Sequence, residues 1–492
     1  SQIIIGVASS GALLVGMMLA WGDGVSGVLR KEPISLAVAL ATIGLMRLEP
    51  GIIISVAAAF ILLVIAYNHI HIGLALVIFW APFFLFPVEL YRYSFPLSEI
   101  LIGITVSAWL LKWFHNRSLE QQALIPKYRY DWITRILRQL NALDYAVAIW
   151  LLAGFISITW SEYRQYAITD LRVNMIEPVL FYVVFRTSRL SNKQVLFIID
   201  AMIIAGLAVA VIGLWQYANG QAIITAEDGA RRLASVYGSP NNAALFLGRC
   251  IPFLLTFGLL KFDLARRLFA FASLIPITIA VILTQSVGAL FLGIPISIIV
   301  VTFSIFKKHR KLLLLLIVLC VIVAFLLSLQ SARFGRVLDF SSGTNFFRLR
   351  VWQSALHVIE DHPFTGIGLD QFLYAFRGRY ILPDAWQEPN LSHPHNIVLD
   401  FWVRLGVLGV IAISWIMFVF MKQMRDLYQK SNLFSTIQMS IIIGCIGSMA
   451  NLIAHGLVDN SVYVADLSIV FGFLLGISSL LTNMRSIDEE SI

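Results

Sequence analysis

QVLFIIDAMIIAGLAVAVIGLWQY, residues 194–217, runs for 24 residues with one charge, Asp200. A bilayer's hydrocarbon is crossed by about 20 mostly apolar residues in a helix. This run is long enough to span. Comparable runs lie near 2–21, 34–67, 72–90, 97–113, 143–160, 174–187, 240–260, 268–284, 287–306, 312–329, 396–421, 434–457 and 466–483. The length rule turns them into about 14 spans. The run 34–67 is too long for one crossing and is broken by Arg47, Glu49 and Pro50, so it crosses once or twice.

Composition agrees. Of 492 residues, 59% are hydrophobic and 13% charged, and the mean hydropathy is +0.83. A soluble domain carries about 25% charged residues. A soluble enzyme, a disordered scaffold and an ordinary nucleic-acid binder are excluded. The net charge of +8 fits a polytopic membrane protein, which collects Lys and Arg in its cytoplasmic loops. Cys250, Cys320 and Cys445 all sit in apolar runs and read as small packing residues, not as a disulfide or zinc framework. The chain begins on apolar residues without a basic stretch, which argues against a secretory signal, and its first residue, Ser, suggests a processing boundary.

The expected fold is all-α and polytopic. Arg117, Lys127, Arg129, Arg135 and Arg138, then Arg186, Arg189 and Lys193, then Lys261, Arg266 and Arg267, then Lys307, Lys308, Arg310 and Lys311, then Lys422, Arg425 and Lys430 fall on one side. That side reads as cytoplasmic. The chain then divides into N-terminal transmembrane helices (1–113), a basic cytoplasmic loop (114–142), central transmembrane helices (143–329), an extracytoplasmic loop (330–395), and C-terminal transmembrane helices with a short cytoplasmic tail (396–492). The segment 330–395 is the one long loop on the outer face. It holds six basic residues, six acidic residues and four histidines, so it is expected to fold and to carry function.

Three places in the outer segments carry chemistry. In Asn345–Glu360, Leu349, Trp352, Leu356 and Ile359 recur at helical spacing and predict an apolar stripe. Arg348 flanks that stripe, and Arg350 points away from it toward water. Both can equally be solvated helix charges. In Ser392-His393-Pro394-His395-Asn396 a helix is expected to start near Asn396, which puts His395 at a positive helix end that disfavours imidazolium. A neutral imidazole suits a general base, although an interfacial capping role or a metal site is also open. The His393–His395 pair has no Cys or carboxylate at ligand spacing. In Arg231–Asn242, Arg232 offers a fork of donors for phosphate, or anchors the helix by snorkelling.

Charges inside spans usually face a cavity or a partner. Arg249 lies mid-span and is expected to pair with a carboxylate as a lock, or else to touch ligand. Glu177, Asp200 and Arg404 also lie in or near spans. His455, Asp459 and Asp466 gather at the last outer turn, where they orient a catalytic group or cap helices. No DxD or ExD stands in an outer loop, and the adjacent Glu227-Asp228 is a poor substitute. No Walker motif, GxSxG or CxxC occurs. Any reaction must take its energy from the substrate, with no cofactor and no metal expected.

In combination these pieces resemble the O-antigen ligase-like family of bacterial membrane proteins. The ligase signature of His, then Asn, Ser or Gln, nine residues and Gly-x-x-Gly reads here as His395-Asn396, nine residues, Gly406-Val407-Leu408-Gly409. The pattern Arg-Leu-x-Leu-Trp, Pro and Gly-x-Gly reads as Arg348-Leu349-Arg350-Val351-Trp352, Pro363 and Gly366-Ile367-Gly368. The family's earlier Arg followed by Pro-Asn reads as Arg232 and Pro240-Asn241. The likeness covers about 230–410. Where many members carry Ser-Arg-Gly, this chain has Ser286-Val287-Gly288, leaving Arg249 or Arg172 to substitute.

The resemblance implies a GT-C-like fold in the inner membrane with its active site on the periplasmic side. It implies a metal-independent, inverting glycosyl transfer from an undecaprenyl-diphosphate-linked glycan. Arg232 and Arg348 would hold the diphosphate and His395 would deprotonate the acceptor. Asn241, Arg249, Arg350, His393, Asn396 and Asp459 would support them. The acceptor is lipid A–core for a ligase, or a lipid-linked glycan for a polymerase of O-antigen or exopolysaccharide. A transporter or flippase of lipid-linked glycan is the alternative of another class, but neither inverted repeats nor midplane polar sites are visible.

Overall fold

A computed structural model describes residues 31–49, 51–90, 93–123, 140–225, 229–328, 330, 340–430 and 433–490. The expected span 2–21, the body of the basic loop (124–139), Glu227, Asp228 and residues 331–339 lie outside them. The chain divides into two units, 1–140 and 141–492.

The first unit holds α1 (Glu32–Arg47), α2 (Ile52–Asn68), α3 (Ile70–Trp80) and α4 (Leu97–Ala123), with a two-stranded hairpin of β1 (Val88–Leu90) and β2 (Tyr93–Phe95). The long run 34–67 is two helices. Glu49 takes φ 51 between them, and Arg47 donates to the carbonyl oxygens of Phe86 (2.6 Å) and Pro87 (3.2 Å). The run 72–90 is not one span. Its helix stops at Trp80, Pro82 interrupts the amide ladder, and the chain turns into the hairpin.

The second unit begins with α5 (Ala142–Ser157), α6 (Arg164–Leu171) and α7 (Glu177–Thr187), the last two joined by a π-turn at Arg172–Ile176. Then come α8 (Asn192–Ala218), the antiparallel pair β3 (Ile223–Thr225) and β4 (Arg231–Leu233), α9 (Pro240–Leu259), α10 (Leu264–Thr284), a π-turn at Gly288–Gly293, α11 (Ile294–Ile305) and α12 (Arg310–Ser328). The order closes with α13 (Gly343–Asp361), the short α14 (Phe372–Ala375), α15 (Ile397–Gln429), α16 (Thr436–Gly456) and α17 (Ala465–Glu490). Capping begins several of these helices. Asn141 with Asp144, Ser191 with Gln194, and Ser435 with Gln438 form reciprocal boxes that satisfy orphan amides.

Among the described residues, eight helices are long and apolar enough to cross a membrane, and three shorter apolar helices accompany them. The expectation of about 14 spans therefore stands at eight there. The core of the second unit is α9 packed on α10 and α16, α17 on α7, and α15 on α5. Cys250 and Cys445 are buried in it, whereas Cys320 is exposed on α12 and packs no core.

The segment expected as an outer loop contains a small core of its own. Val351, Ala355, Val358 and Ile359 of α13 pack with Phe372, Phe376, Tyr380 and Val403. The buried face of α13 differs from the expected stripe. Leu349 is 37% and Leu356 48% exposed, while Phe347, Val351, Ser354 and Ala355 face inward. An apolar stripe marks a surface that avoids water, and in a membrane protein lipid meets that need as well as a core does.

Candidate functional site

Asn396 sets the frame. Its side-chain oxygen accepts from the amides of Val398 (3.0 Å) and Leu399 (3.1 Å), capping α15, as short polar caps do. Its amide donates to the carbonyl of Leu457 at 3.0 Å. The start of α15 is thereby tied to the turn after α16. His395, one residue earlier, is held at φ 51, a left-handed conformation uncommon outside glycine.

Two glycine motifs explain how α13 and α15 meet. Gly366 and Gly406 both have positive φ. A Cβ on Gly366 would strike the Val403 carbonyl, and one on Gly406 would strike the Phe364 carbonyl. The bare backbones close up, and the Ile367 amide donates to the Val403 oxygen at 2.8 Å. The residues of Gly-x-Gly and Gly-x-x-Gly, 40 positions apart in the sequence, thus form one joint between α15 and the loop that follows α13.

His395 Nδ1 lies 2.9 Å from Asp459 Oδ1. Asp459 is 2% exposed at its side chain and His395 20%. Burial lowers the His395 pKa from its usual range, His393 lowers it further, and Asp459 opposes both. Burial alone would raise Asp459, but the facing imidazoles of His395 and His393, with Arg348, hold it well below the usual carboxylate range. The lowered pKa of His395 favours a neutral imidazole facing the Asp459 carboxylate. A neutral ring donating from Nδ1 keeps its lone pair on Nε2.

His393 lies beside the pair, its ring tilted by 54° with its centroid 4.2 Å from that of His395 and its Nε2 3.7 Å from Asp459 Oδ1. Sequence spacing offers these histidines no carboxylate, but the fold supplies Asp459. His393, His395 and Asp459 bring three ligand atoms within 4.8 Å of one another, a set able to hold a divalent cation.

Arg348, on α13, acts electrostatically on Asp459, His395 and His455. His455 is fully buried, and its Nε2 lies 3.4 Å from Ser286 Oγ. Gly288 permits this, since a Cβ there would stand 2.5 Å from the ring. Ser286-Val287-Gly288 thus receives His455. Arg232, on β4, donates from Nε to the Thr284 carbonyl (2.9 Å) and from Nη2 to Asn241 Oδ1 (2.8 Å). Hydrogen bonds run from Arg232 through Thr284 and Ser286 to His455, and Arg348 acts electrostatically on His455, His395 and Asp459.

The remaining candidates lie apart. Arg350 pairs with Asp384 (2.5 Å) and Gln353 (2.8 Å) on the opposite side of α13 from Arg348. Arg249 is fully buried and donates to the backbone carbonyls of Leu467 (2.8 Å) and Ser461. It locks the turn that follows Asp459. Arg172 pairs with Glu177 at 3.7 Å. Sequence spacing missed the role of Arg404, which bridges Asp400 (2.8 Å) and Asp170 (2.7 Å). The i, i+4 spacing of Asp400 and Arg404 was the available signal.

Eight membrane-length helices among the described residues define a multi-pass membrane protein, and the histidine–carboxylate pair with Arg348 acting on it is its candidate site. Residues 269–447 match the family model Wzy_C, described as O-antigen ligase. Over that stretch the chain is similar to the O-antigen ligase-like family, whose members are membrane enzymes of ligase or polymerase type. The match contains Arg348, His395 and both glycine motifs, and leaves out Arg232 and Asp459. No curated protein matches the chain.

Proposed function

We propose that this protein is an inverting, metal-independent glycosyltransferase of O-antigen ligase type, with a GT-C-like fold. It moves a glycan from undecaprenyl diphosphate to an acceptor hydroxyl on the outer face of the inner membrane. The observation that carries this is the His395–Asp459 pair, a half-buried imidazole whose tautomer is set by a buried carboxylate, with Arg348 acting on both.

The acceptor oxygen attacks the anomeric carbon as the bond from that carbon to the diphosphate oxygen breaks. The acceptor proton goes to His395 Nε2. Asp459 stabilises the imidazolium that results. Charge grows on the departing diphosphate, and in this reading the guanidinium groups of Arg348 and Arg232 stabilise it. Asn396 holds His395 in place, and Arg249 holds the turn of Asp459.

The test incubates purified protein with a lipid-linked oligosaccharide and candidate acceptors, and follows undecaprenyl diphosphate release and product size. One glycan block moved to lipid A–core marks a ligase. A ladder on the lipid carrier marks the polymerase. No release, with lipid-linked glycan crossing a liposome membrane, overturns the proposal in favour of a flippase.

Arg348→Ala and Arg232→Ala are each expected to raise the donor KM or lower kcat/KM by about 10–100-fold, the scale of a lost charge-assisted hydrogen bond. Unchanged donor kinetics in both variants removes them from the diphosphate site. Treatment with EDTA is expected to leave the rate unaltered. A loss in EDTA restored by one divalent cation would make His393, His395 and Asp459 ligands instead.

A further inference from the structure

Three tyrosine rings meet beside the loop that carries Asp370. Tyr163 precedes α6, Tyr166 lies in its first turn, and Tyr374 belongs to α14. Ring centroids are 4.2 Å apart for Tyr163 and Tyr374, with planes at 30°, and 5.3 Å for Tyr166 and Tyr374, with planes at 26°. Tyr163 remains 41% and Tyr166 48% exposed. A buried side chain fixes this exposed cluster. Gln371 accepts from the Tyr163 amide at 2.8 Å and donates to the Tyr163 carbonyl at 3.2 Å and the Leu369 carbonyl at 2.8 Å. Gly368, at φ 101, lets the loop close against Ser161. The rings are thus ordered by the hydrogen bonds beneath them.

The cluster is continuous with the His395 site. Asp370 acts electrostatically on Tyr374, and His393 on Asp370. His393 in turn lies with its ring centroid 4.2 Å from that of His395. Arg348 acts at the other end, on His395, Asp459 and His455. Electrostatic coupling therefore runs from Arg348 and the base through His393 and Asp370 to Tyr374. In an inverting displacement the incoming hydroxyl and the leaving group lie on opposite sides of the reacting carbon. The base touches the incoming hydroxyl. Asp370, which couples to Tyr374, also couples to His393, the neighbour of that base.

We propose that Tyr163, Tyr166 and Tyr374 form a stacking platform for the sugar rings of the acceptor glycan. This rests on the transferase reading above. One face of a pyranose presents C–H groups, apolar and slightly positive, which complement the negative face of an aromatic ring. Tyrosine adds a hydroxyl at the rim for sugar hydroxyls. It has few torsions to freeze, and a platform already ordered loses little freedom on binding.

The test uses full-length protein in nanodiscs. The first probe is the oligosaccharide freed by mild acid from the glycolipids of the native cell, followed by saturation-transfer NMR. Wild type is expected to saturate the sugar C–H protons, and Tyr374→Ala and Tyr163→Ala to lose most of that signal. In the transfer assay Tyr374→Ala is expected to raise the acceptor KM about tenfold, with Tyr374→Phe retaining most of the affinity. The donor KM should not move. An increase in donor KM alone overturns the assignment to the acceptor. Equal NMR signal and equal acceptor KM in wild type and both alanine variants overturn the platform, and leave these tyrosines as interfacial anchors of the kind membrane proteins carry. Should Tyr374→Ala fail to fold, Tyr163→Ala and Tyr374→Phe decide by the same readouts. If wild type transfers nothing, the transferase reading fails, while the NMR arm still reports on sugar binding.

Discussion

His395→Ala is expected to lower transfer by about 10²–10⁴-fold, the usual contribution of a positioned base, with the protein still folded. The imidazole is 20% exposed, so little packing is lost. Its one described hydrogen bond is to Asp459, and that carboxylate keeps His393 at 3.7 Å and the field of Arg348. The measurement is the rate of undecaprenyl diphosphate release, with size-exclusion elution as the control for folding. A rate within twofold of wild type would remove His395 as the base.

The acid limb supplies an independent check. A base works only when deprotonated, so the rate falls as pH drops through its pKa. Burial and then His393 set that pKa below the ordinary value near 6.5, against the pull of Asp459. The acid limb of kcat/KM should therefore lie below pH 6.5. Asp459→Asn removes the one group that raises it, so the limb should move further toward acid. The plateau rate should also fall, because the imidazole becomes a weaker base and its tautomer is no longer fixed. A limb that moves toward alkaline pH in this variant contradicts the arrangement.

Part of this was visible in one dimension. Apolar runs give helices because lipid forces every backbone group into intrahelical bonds, and Asn396 reads as a cap from residue type alone. What spacing does not reveal is long-range juxtaposition. Asp459 lies 64 residues beyond His395 in the chain, and only the turn after α16, tied by Asn396 to Leu457, brings them together. The Leu349 stripe misled for a related reason. Its leucines stay exposed, because hydrophobicity reports avoidance of water and not which apolar neighbour is met. Gly366 and Gly406 were legible as motif letters, but their purpose is a backbone contact between two elements.

That contact makes the second large effect a structural one. Gly406→Ala is expected to destabilise the protein by about 2–6 kcal/mol, combining a strained backbone with overpacking. Gly406 has φ 64 and ψ −154, a region open essentially to glycine alone. A Cβ there would also meet the Phe364 carbonyl, which is backbone and has no rotamer by which to withdraw. Relief requires the 364–367 loop to lift away from α15, breaking the bond from the Ile367 amide to Val403 and releasing the frame of His395. Gly378→Ala is the matched control. It lies in the same outer segment, and a Cβ there meets nothing within 4 Å. Thermal unfolding in detergent, read by loss of monodisperse protein, should show a clear drop for Gly406→Ala and almost none for Gly378→Ala. Equal stability of the two would mean that the joint between the glycine motifs does not hold α13 against α15. The His395 site would then owe its geometry to the Asn396–Leu457 and Arg249 ties alone.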